Sequence, residues 1–359
     1  GYVFFKQKQN VQFGDYHIAF AEMLAEIQDY CQARDVPFLF VLNPEKAAVY
    51  PDKLRDGIHY DRSWVQQFEQ KLDELGVNYI DNTQLLQDRR AEGEQVFNKV
   101  YNAGHWNDLG AFYGVNNILE SLSGFFPSIQ PNELGDFAVT ETLQETLLSS
   151  QFPIHEYEPT FGRLCELEVK TEEYDAEVAR NSQHLGFGYF VNPENVAAGA
   201  PKTLVFQGSY MNEMGFKFLQ TGLGEYIYVH NYENLMDFDY YFNIFQPECV
   251  VVEVAEYTVN SGYFNAERVE NFSLNPVLTL DDAARQADKQ SLAPQIAEGE
   301  RLSTLTVSLP EGTRYAYLLS EGRTFDLIEG EQGWQASVEK ENLSADYTVV
   351  AVGADGEQV

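Results

Sequence analysis

The run TLVFQGSYMNEMGFKFL (203–219), continued by EYIYVHNYENL (225–235), DYYFNIF (239–245) and ECVVVEVAEYT (248–258), decides the fold. Its apolar cores LVF, IYV and VVV are short, unbroken and rich in β-branched and aromatic residues, and the segments between them have helical spacing. A strand that is apolar on both sides must be covered on both sides. Strands alternating with helices in βαβαβ order therefore predict an α/β fold, a mostly parallel sheet with helices on both faces. Ligands of such open sheets collect at the carboxyl ends of the strands, which draws attention to Ser209, where a strand gives way to a helix.

The alternation extends towards the N-terminus. Between Ile18 and Arg34, Phe20, Met23, Leu24, Ile27 and Cys31 form a helical stripe ahead of the buried strand PFLFVLNP (37–44). Ser63 and Gln66 have capping-box spacing before a second stripe (Val65, Phe68, Leu72, Leu75), and Gly76 supplies the stop before VNYID (77–81). After a short helix around Leu85, QVFNKVY (95–101) reads as another strand, with His105 and Trp106 just beyond it. A helix carrying Leu109, Phe112, Val115, Leu119 and Leu122 follows. Residues from about 125 to 200, with scattered Pro and Gly, read as an irregular elaboration covering the site. From Leu292 the pattern changes to short alternating runs such as LTVSLP, RYAYLL and DYTVVAVG, which predict a small β-sandwich. The expected division is an α/β domain over 1–285 and a β-rich domain over 292–359, with QADKQSLAPQ (286–295) as linker.

The net charge of -33, from 56 acidic and 23 basic residues, repels phosphate backbones and anionic lipid surfaces, so no nucleic-acid partner is expected. Cys31, Cys165 and Cys249 are far apart, giving neither a disulfide framework nor a CxxC site, and Cys31 and Cys249 read as small core hydrophobes. Neither a membrane-length apolar run nor a signal peptide is present, and an anchor is expected to lie upstream of this sequence. The six histidines (His17, His59, His105, His155, His184, His230) lack ligand spacing, and no phosphate-binding glycine loop or HExxH occurs, so neither metal nor cofactor is expected.

Ser209 at a strand-to-helix turn suits a nucleophile, with backbone N–H groups of the helix start as oxyanion donors; the commoner role of such a serine is to cap the helix. The motif is not GxSxG, because Gln207 and Met211 take the glycine positions. His105 is the base a serine needs, or else a histidine packed beside Trp106 with its ring nitrogens satisfied by backbone.

The ordered segments VLNPEKAAVYPDKL (41–54), YNAGHWNDLGAFYG (101–114), LVFQGSY (204–210) and PECVVVEVAEYTV (247–259) resemble SGNH-hydrolase-like proteins related to alginate O-acetyltransferases, including the group named for an Asp-His-His-Trp signature. The resemblance spans about residues 1–265. It implies an SGNH-like α/β/α sandwich in which the histidine precedes the serine, with His105 and Ser209 as base and nucleophile. Trp106 takes the family's tryptophan position, and Trp106 and Tyr210 would line the substrate. The family's aspartate two residues before the histidine is Ala103 here, and the one before the serine is Gly208. Asn102, Asp108, Glu253 and Glu256 are the candidates to orient or support His105; Tyr257 stands where an arginine would accompany Glu256. Lys46 matches a family lysine and reads as a surface charge. The resemblance further implies an O-acyltransferase (acetyl) or esterase acting on an extracellular polysaccharide, at a bacterial cell surface, with a membrane-bound acyl-donor partner and no cofactor. The missing acid leaves a second reading, a fold retained for glycan binding or assembly. Tyr315, Tyr317 and Trp334 are expected to be exposed on the β-rich domain, as on a carbohydrate-binding appendage.

Overall fold

The structure, a computed structural model, describes residues 1–4, 11–102, 104–145, 153–278 and 294–353. Its first nine strands are β1 (Phe38–Asn43), β2 (Tyr79–Asp81), β3 (Phe137–Gln144), β4 (Glu156–Arg163), β5 (Glu168–Val169), β6 (Phe187–Val191), β7 (Lys202–Gln207), β8 (Glu225–His230) and β9 (Cys249–Ala255). The main sheet runs β2-β1-β9-β7-β8-β6-β5, with β2, β1, β9, β7 and β8 parallel and β6 and β5 antiparallel at one edge. The unbroken apolar runs are the central strands. Phe38, Phe40 and Leu42 of β1 enter one core layer while Leu39 and Val41 enter the other, as a period of two demands.

The helices that fill those layers are α1 (Asp15–Gln32), α2 (Lys46–Val49), α3 (Ser63–Leu75), α4 (Thr83–Ala91), α5 (Asp108–Ser123), α6 (Thr171–Tyr174), α7 (Pro193–Ala197), α8 (Phe216–Gly222), α9 (Phe238–Phe245) and α10 (Ala266–Glu270). α1, α3, α9 and α10 bury their apolar stripes on one face, and α4, α5 and α8 on the other. This is the expected α/β/α sandwich. Cys31 and Cys249 are fully buried.

The C-terminal strands β10 (Gln295–Glu298), β11 (Leu302–Val307), β12 (Thr313–Ser320), β13 (Arg323–Gly330), β14 (Gly333–Glu339) and β15 (Thr348–Gly353) form a second, antiparallel sheet in the order β10-β11-β14-β13-β12-β15. β13 pairs with β12 through Arg323–Leu327 and with β14 through Ile328–Gly330, so the sheet folds over its own core of Leu305, Leu318, Phe325 and Val338. The result is the expected β-sandwich. It is seated on the α/β part by Asp326, whose carboxylate accepts from Tyr30 Oη at 2.6 Å and whose backbone exchanges two hydrogen bonds with the Asn243 side chain.

Four expectations are corrected. QVFNKVY is not a strand: the Glu156 carboxylate on β4 accepts the N–H groups of Lys99, Val100 and Tyr101 at 2.5, 2.8 and 3.0 Å, which holds the segment in turns and removes the donors a ladder needs. Among the described residues of 125–200, β3 and β4 pair antiparallel, pack Phe137 and Phe161 on Phe112 of α5 and Phe218 of α8, and buttress the histidine loop. Ser63 is the first helical residue of α3 and takes no cap of its own; Asp61 Oδ1 accepts its N–H at 2.8 Å, whereas Gly76 ends the helix at φ +69 as expected. Tyr317 is only 1% exposed and donates to Pro276 O at 2.8 Å, and Trp334 is packed against the β-core, so these rings form no open platform. Ala103 and residues 286–293 of the expected linker lie outside the described residues.

Candidate active site

β7, at the centre of the sheet, ends at Gln207, and the chain turns at Gly208 into helix at Ser209 and Tyr210, followed by a π-helical turn at Met211–Gly215 and then α8. A Cβ at Gly208 would stand 3.3 Å from Asn231 Nδ2 and 3.6 Å from Glu253 Oε2, so the turn is tight against β8 and β9. The Ser209 hydroxyl is directed at side chains and does not cap the helix. Its Oγ lies 2.9 Å from His105 Nε2 and 3.3 Å from Tyr257 Oη. The first N–H groups of a helix have no intrahelical acceptor, so the Ser209 N–H is available to a developing oxyanion.

His105 reaches this point from a loop held by α5. A Cβ at Gly114 would sit 2.3 Å from Trp106 Cζ3, and one at Gly110 2.3 Å from Val96 O; the two glycines of DLGAFYG let the helix seat directly on the loop. Trp106 and Tyr210, expected at the substrate, are both fully buried. Trp106 Nε1 donates to Tyr210 O at 3.0 Å, Tyr210 Oη donates to Pro44 O at 3.0 Å, and the Tyr210 ring meets the imidazole edge-on at 5.3 Å. They clamp the histidine and serine segments together, and neither is open to substrate.

His105 Nδ1 lies 2.8 Å from Asn102 Oδ1, and Asn102 Nδ2 donates to Glu213 Oε2 at 2.9 Å; the same carboxylate oxygen is 3.6 Å from Nδ1. A carboxylate only accepts, so the Asn102 amide must turn its NH2 towards Glu213 and its oxygen towards the imidazole. The oxygen then requires Nδ1 to carry the proton, which leaves Nε2 as the acceptor facing Ser209. This is the tautomer a general base needs. Asn102 adopts φ +41, in the left-handed region that asparagine tolerates better than most residues. Burial lowers the His105 pKa, and the Glu213 charge opposes that, so the ring is held neutral with a carboxylate ready to stabilise its protonated form.

The other expected acids lie elsewhere. Asp108 is paired with Lys217 Nζ at 2.6 Å and accepts the Phe161 N–H at 2.9 Å, tying α5 to α8 and β4. Glu256 is fully buried and accepts from Arg62 Nε at 2.8 Å, Tyr60 Oη at 2.7 Å and the Glu45 N–H at 2.8 Å, which fixes the loop after β1. Neither touches His105. Glu253 lies beneath the serine turn, accepting the Gly208 N–H at 2.8 Å and Asn43 Nδ2 at 2.7 Å, and burial raises it to about 7. A chain of amides extends from it, Asn82 Nδ2 donating to Asn43 Oδ1 and Asn117 Nδ2 to Asn82 Oδ1, each at 2.8 Å. Lys46 is 3% exposed, not a surface charge: its Nζ donates to Val3 O at 2.7 Å and Lys99 O at 3.0 Å, and burial lowers it to about 8.

Glu213 is the residue that sequence reasoning missed. The available signal was its place four residues after Ser209, one helical turn on and on the same face.

By sequence, residues 5–186 match the family model described as an SGNH hydrolase-like domain, acetyltransferase AlgX, over half of the chain and including His105. No curated relative matches. Among solved structures, Bacillus cereus PatB1 aligns with a TM-score of 0.51 at 16% identity, over 68% of this chain and 92% of its own. PatB1 with a sulfonyl adduct aligns with a TM-score of 0.52 at 16% identity, over 71% and 93%. A DHHW family protein of Eubacterium siraeum aligns with a TM-score of 0.48 at 13% identity, over 73% and 91%. The PatB1 likeness shows the fold, and the family-model match shows that the chain belongs to the SGNH hydrolase-like domains of the AlgX acetyltransferase family.

Proposed function

We propose that the chain is an O-acetyltransferase that moves an acetyl group to a hydroxyl of an extracellular polysaccharide through an acyl-Ser209 intermediate. One observation carries the reading: Ser209 Oγ is 2.9 Å from the His105 nitrogen that its own hydrogen-bond chain leaves unprotonated. The Ser209 hydroxyl gives its proton to His105 Nε2 as Oγ attacks the acetyl carbonyl carbon, and the oxyanion forms opposite the Ser209 N–H. Collapse breaks the bond to the donor's leaving group, which takes the proton from His105. In the second half the acceptor hydroxyl loses its proton to His105 and attacks the acetyl-serine, and Ser209 Oγ leaves with that proton. Asn102 and Glu213 keep the ring oriented and stabilise the imidazolium formed in each half. Attack by water in place of the sugar makes the same site an esterase.

Membership of an acetyltransferase family supports the acetyl group, and the sulfonyl adduct carried by PatB1 suggests the probe. The proposal extends to the setting: a bacterial cell surface, where such polysaccharides lie, with a membrane-bound partner delivering the acyl donor. In the test, purified protein is given an activated acetyl ester and, separately, a sulfonyl fluoride. Turnover that disappears in Ser209→Ala and His105→Ala, with sulfonylation mapped to Ser209, is the expected result. An inactive wild-type protein, or activity that survives Ser209→Ala, overturns the reading and leaves a non-catalytic glycan-binding role.

A further inference from the structure

Three half-buried side chains meet in a surround of buried ones. The chain is buried from Thr203 to Gly208 and again at Tyr210, with Ser209 half-buried between; it is buried from Cys249 to Glu256 and again at Thr258, with Tyr257 half-buried between; and half-buried His105 precedes buried Trp106. Tyr257 sits in the single 3₁₀ turn, Glu256–Thr258, that ends β9, and β9 lies beside β7 in the sheet, so the tyrosine turn and the serine turn stand next to each other. The tyrosine turn is held from several sides. Glu256 takes its three hydrogen bonds from Arg62, Tyr60 and the Glu45 N–H, Thr258 Oγ1 donates to Ala255 O at 2.7 Å, and Asn260 Nδ2 donates to Tyr257 O at 2.7 Å. The Tyr257 ring packs 6.4 Å from Tyr210 and 5.8 Å from Tyr263, centroid to centroid, and its hydroxyl comes to rest 3.3 Å from Ser209 Oγ.

The histidine decides which of those two oxygens gives the hydrogen. The Asn102 amide puts the His105 proton on Nδ1, so Nε2 takes the serine's hydrogen and Ser209 Oγ has only lone pairs to offer Tyr257. The phenol is the donor. Burial pushes its pKa up to about 12, so it keeps that hydrogen at any pH where an imidazole serves as base. At 3.3 Å the contact is longer than the usual O–H···O bond of about 2.7–2.8 Å, and a better acceptor nearby can draw the hydroxyl away. Such an acceptor forms when Oγ bonds to an acyl carbon: Oγ becomes an ester-like oxygen of little basicity, and the carbonyl oxygen on the same carbon takes the negative charge. The donors beneath the serine turn are committed elsewhere. The Gly208 N–H and Asn43 Nδ2 go to the Glu253 carboxylate, Asn231 Nδ2 to Glu253 O at 2.6 Å and Gln207 Nε2 to Asn212 Oδ1 at 2.7 Å.

We propose that Tyr257 is a catalytic residue of the acyl transfer, its hydroxyl joining the Ser209 N–H as a second donor to the oxyanion. The assignment deepens the acyl-Ser209 reading above and rests on it. No proton leaves the phenol: the serine's proton goes to His105, the carbonyl electron pair becomes the oxyanion, and Tyr257 shifts its hydrogen bond from Oγ to that oxygen. Tyr257→Phe keeps the ring and removes only the hydroxyl. Hydrolysis of an activated acetyl ester is expected to fall about 100-fold in kcat with KM little changed. Phenylboronic acid, which Ser209 Oγ would convert to a tetrahedral anion, is expected to bind the variant about tenfold more weakly by calorimetry, and thermal melts check that the variant is folded. In the wild-type protein a crystal structure of the boronate adduct should place one boronate oxygen within about 3.2 Å of Tyr257 Oη. Boronate oxygens all beyond that reach overturn the proposal. So does a folded Tyr257→Phe protein that turns over and binds boronate as wild type does, or one that turns over faster, which makes the phenol a brake on the serine. Ester turnover that needs Ser209 but not the Tyr257 hydroxyl strikes this assignment alone and leaves the catalytic reading standing; a wild type that neither hydrolyses the ester nor binds boronate overturns both.

Discussion

Glu213→Gln isolates the carboxylate that stands behind the histidine. Glutamine keeps an oxygen to accept from Asn102 Nδ2, so the amide orientation and the His105 tautomer are retained and only the charge is lost. The imidazolium formed in the transition state then loses an opposite charge 3.6 Å from Nδ1. Unit charges about 4 Å apart attract by about 1 kcal/mol in bulk water and about 4 kcal/mol at an effective dielectric constant near 20. The Glu213 side chain is 47% exposed and that of His105 14%, so solvent screens the pair from one side, and about 1–2 kcal/mol is the reasonable share. That converts to a loss of about 5- to 30-fold in kcat/KM, far short of the roughly 10⁴ that follows when a buried triad aspartate becomes its amide.

The pH profile supplies the second readout. Burial lowers the His105 pKa and Glu213 raises it, so removing the charge moves the acid limb of kcat/KM to lower pH while the plateau falls. The assay is hydrolysis of an activated acetyl ester across that limb, at low and high salt, with the difference from wild type shrinking as salt screens the exposed carboxylate. An unchanged plateau would show that Glu213 does no electrostatic work. A lower plateau with an unmoved limb would reduce it to a structural hydrogen bond, and a limb moving to higher pH would contradict the sign outright.

Glu253→Gln should change the pH dependence of stability. Burial raises the folded-state pKa to about 7, so the stability linked to the neutral form is complete below the unfolded carboxylate value and is lost as pH rises to about 7. The difference is on the order of 3 kcal/mol; thermal melts at several pH values should show a flatter decline in the variant, and parallel curves would refute the assignment. Gly114→Ala forces a methyl against Trp106 and should cost about 1–3 kcal/mol in denaturant melts, together with ester turnover, because Trp106 is fixed beside His105. Asp108→Asn leaves Lys217 without its partner and should destabilise by about 3–5 kcal/mol. Turnover per folded molecule should nevertheless stay near wild type, because Asp108 does not touch the imidazole; a specific loss of kcat in a folded variant would return it to the catalytic set.

The sheet was legible because its signal is local. Continuous apolar runs at 38–42, 204–206 and 249–252 have one economical solution, and the glycine stop at Gly76 needs only the sign of a dihedral angle. The histidine loop was not legible, because QVFNKVY has the composition of a strand and is prevented from being one by Glu156, some sixty residues away. Exposure was misjudged for a related reason. Trp106, Tyr210, Tyr317 and Lys46 are amphipathic residues whose polar ends find backbone carbonyls, and nothing in their neighbours in sequence announces those partners. At the site, Ser209 and His105 could be found as a pair by type and order, whereas the spacing from Ser209 puts Glu213 on the serine's helical face but not beside the imidazole, which depends on where the loop bearing Asn102 comes to rest.

The two positions where aspartate is absent have different physical contexts. At Gly208 a side chain would point towards Glu253 Oε2, 3.6 Å from its first carbon, so a carboxylate there would set two negative groups together in a closed space. Glu253 already fills that space from below and accepts the Gly208 N–H. On the histidine side, the carboxylate nearest the imidazole, Glu213, comes from the segment that carries the proposed nucleophile and not from the loop. Ser209 and Glu213 are joined by the π-helical turn at Met211–Gly215, and Asn102 bridges from the loop to the second of them. Ser209 and Glu213, nucleophile and acid in the proposed mechanism, therefore move as one body, and the imidazole is held between them at Nε2 and, through the amide, at Nδ1. Such a site tolerates an asparagine at position 102 because the amide only relays orientation, while the charge that stabilises imidazolium arrives from the opposite wall. Its cost is solvent exposure of that charge, which is why the site should be salt-sensitive where a buried triad is not.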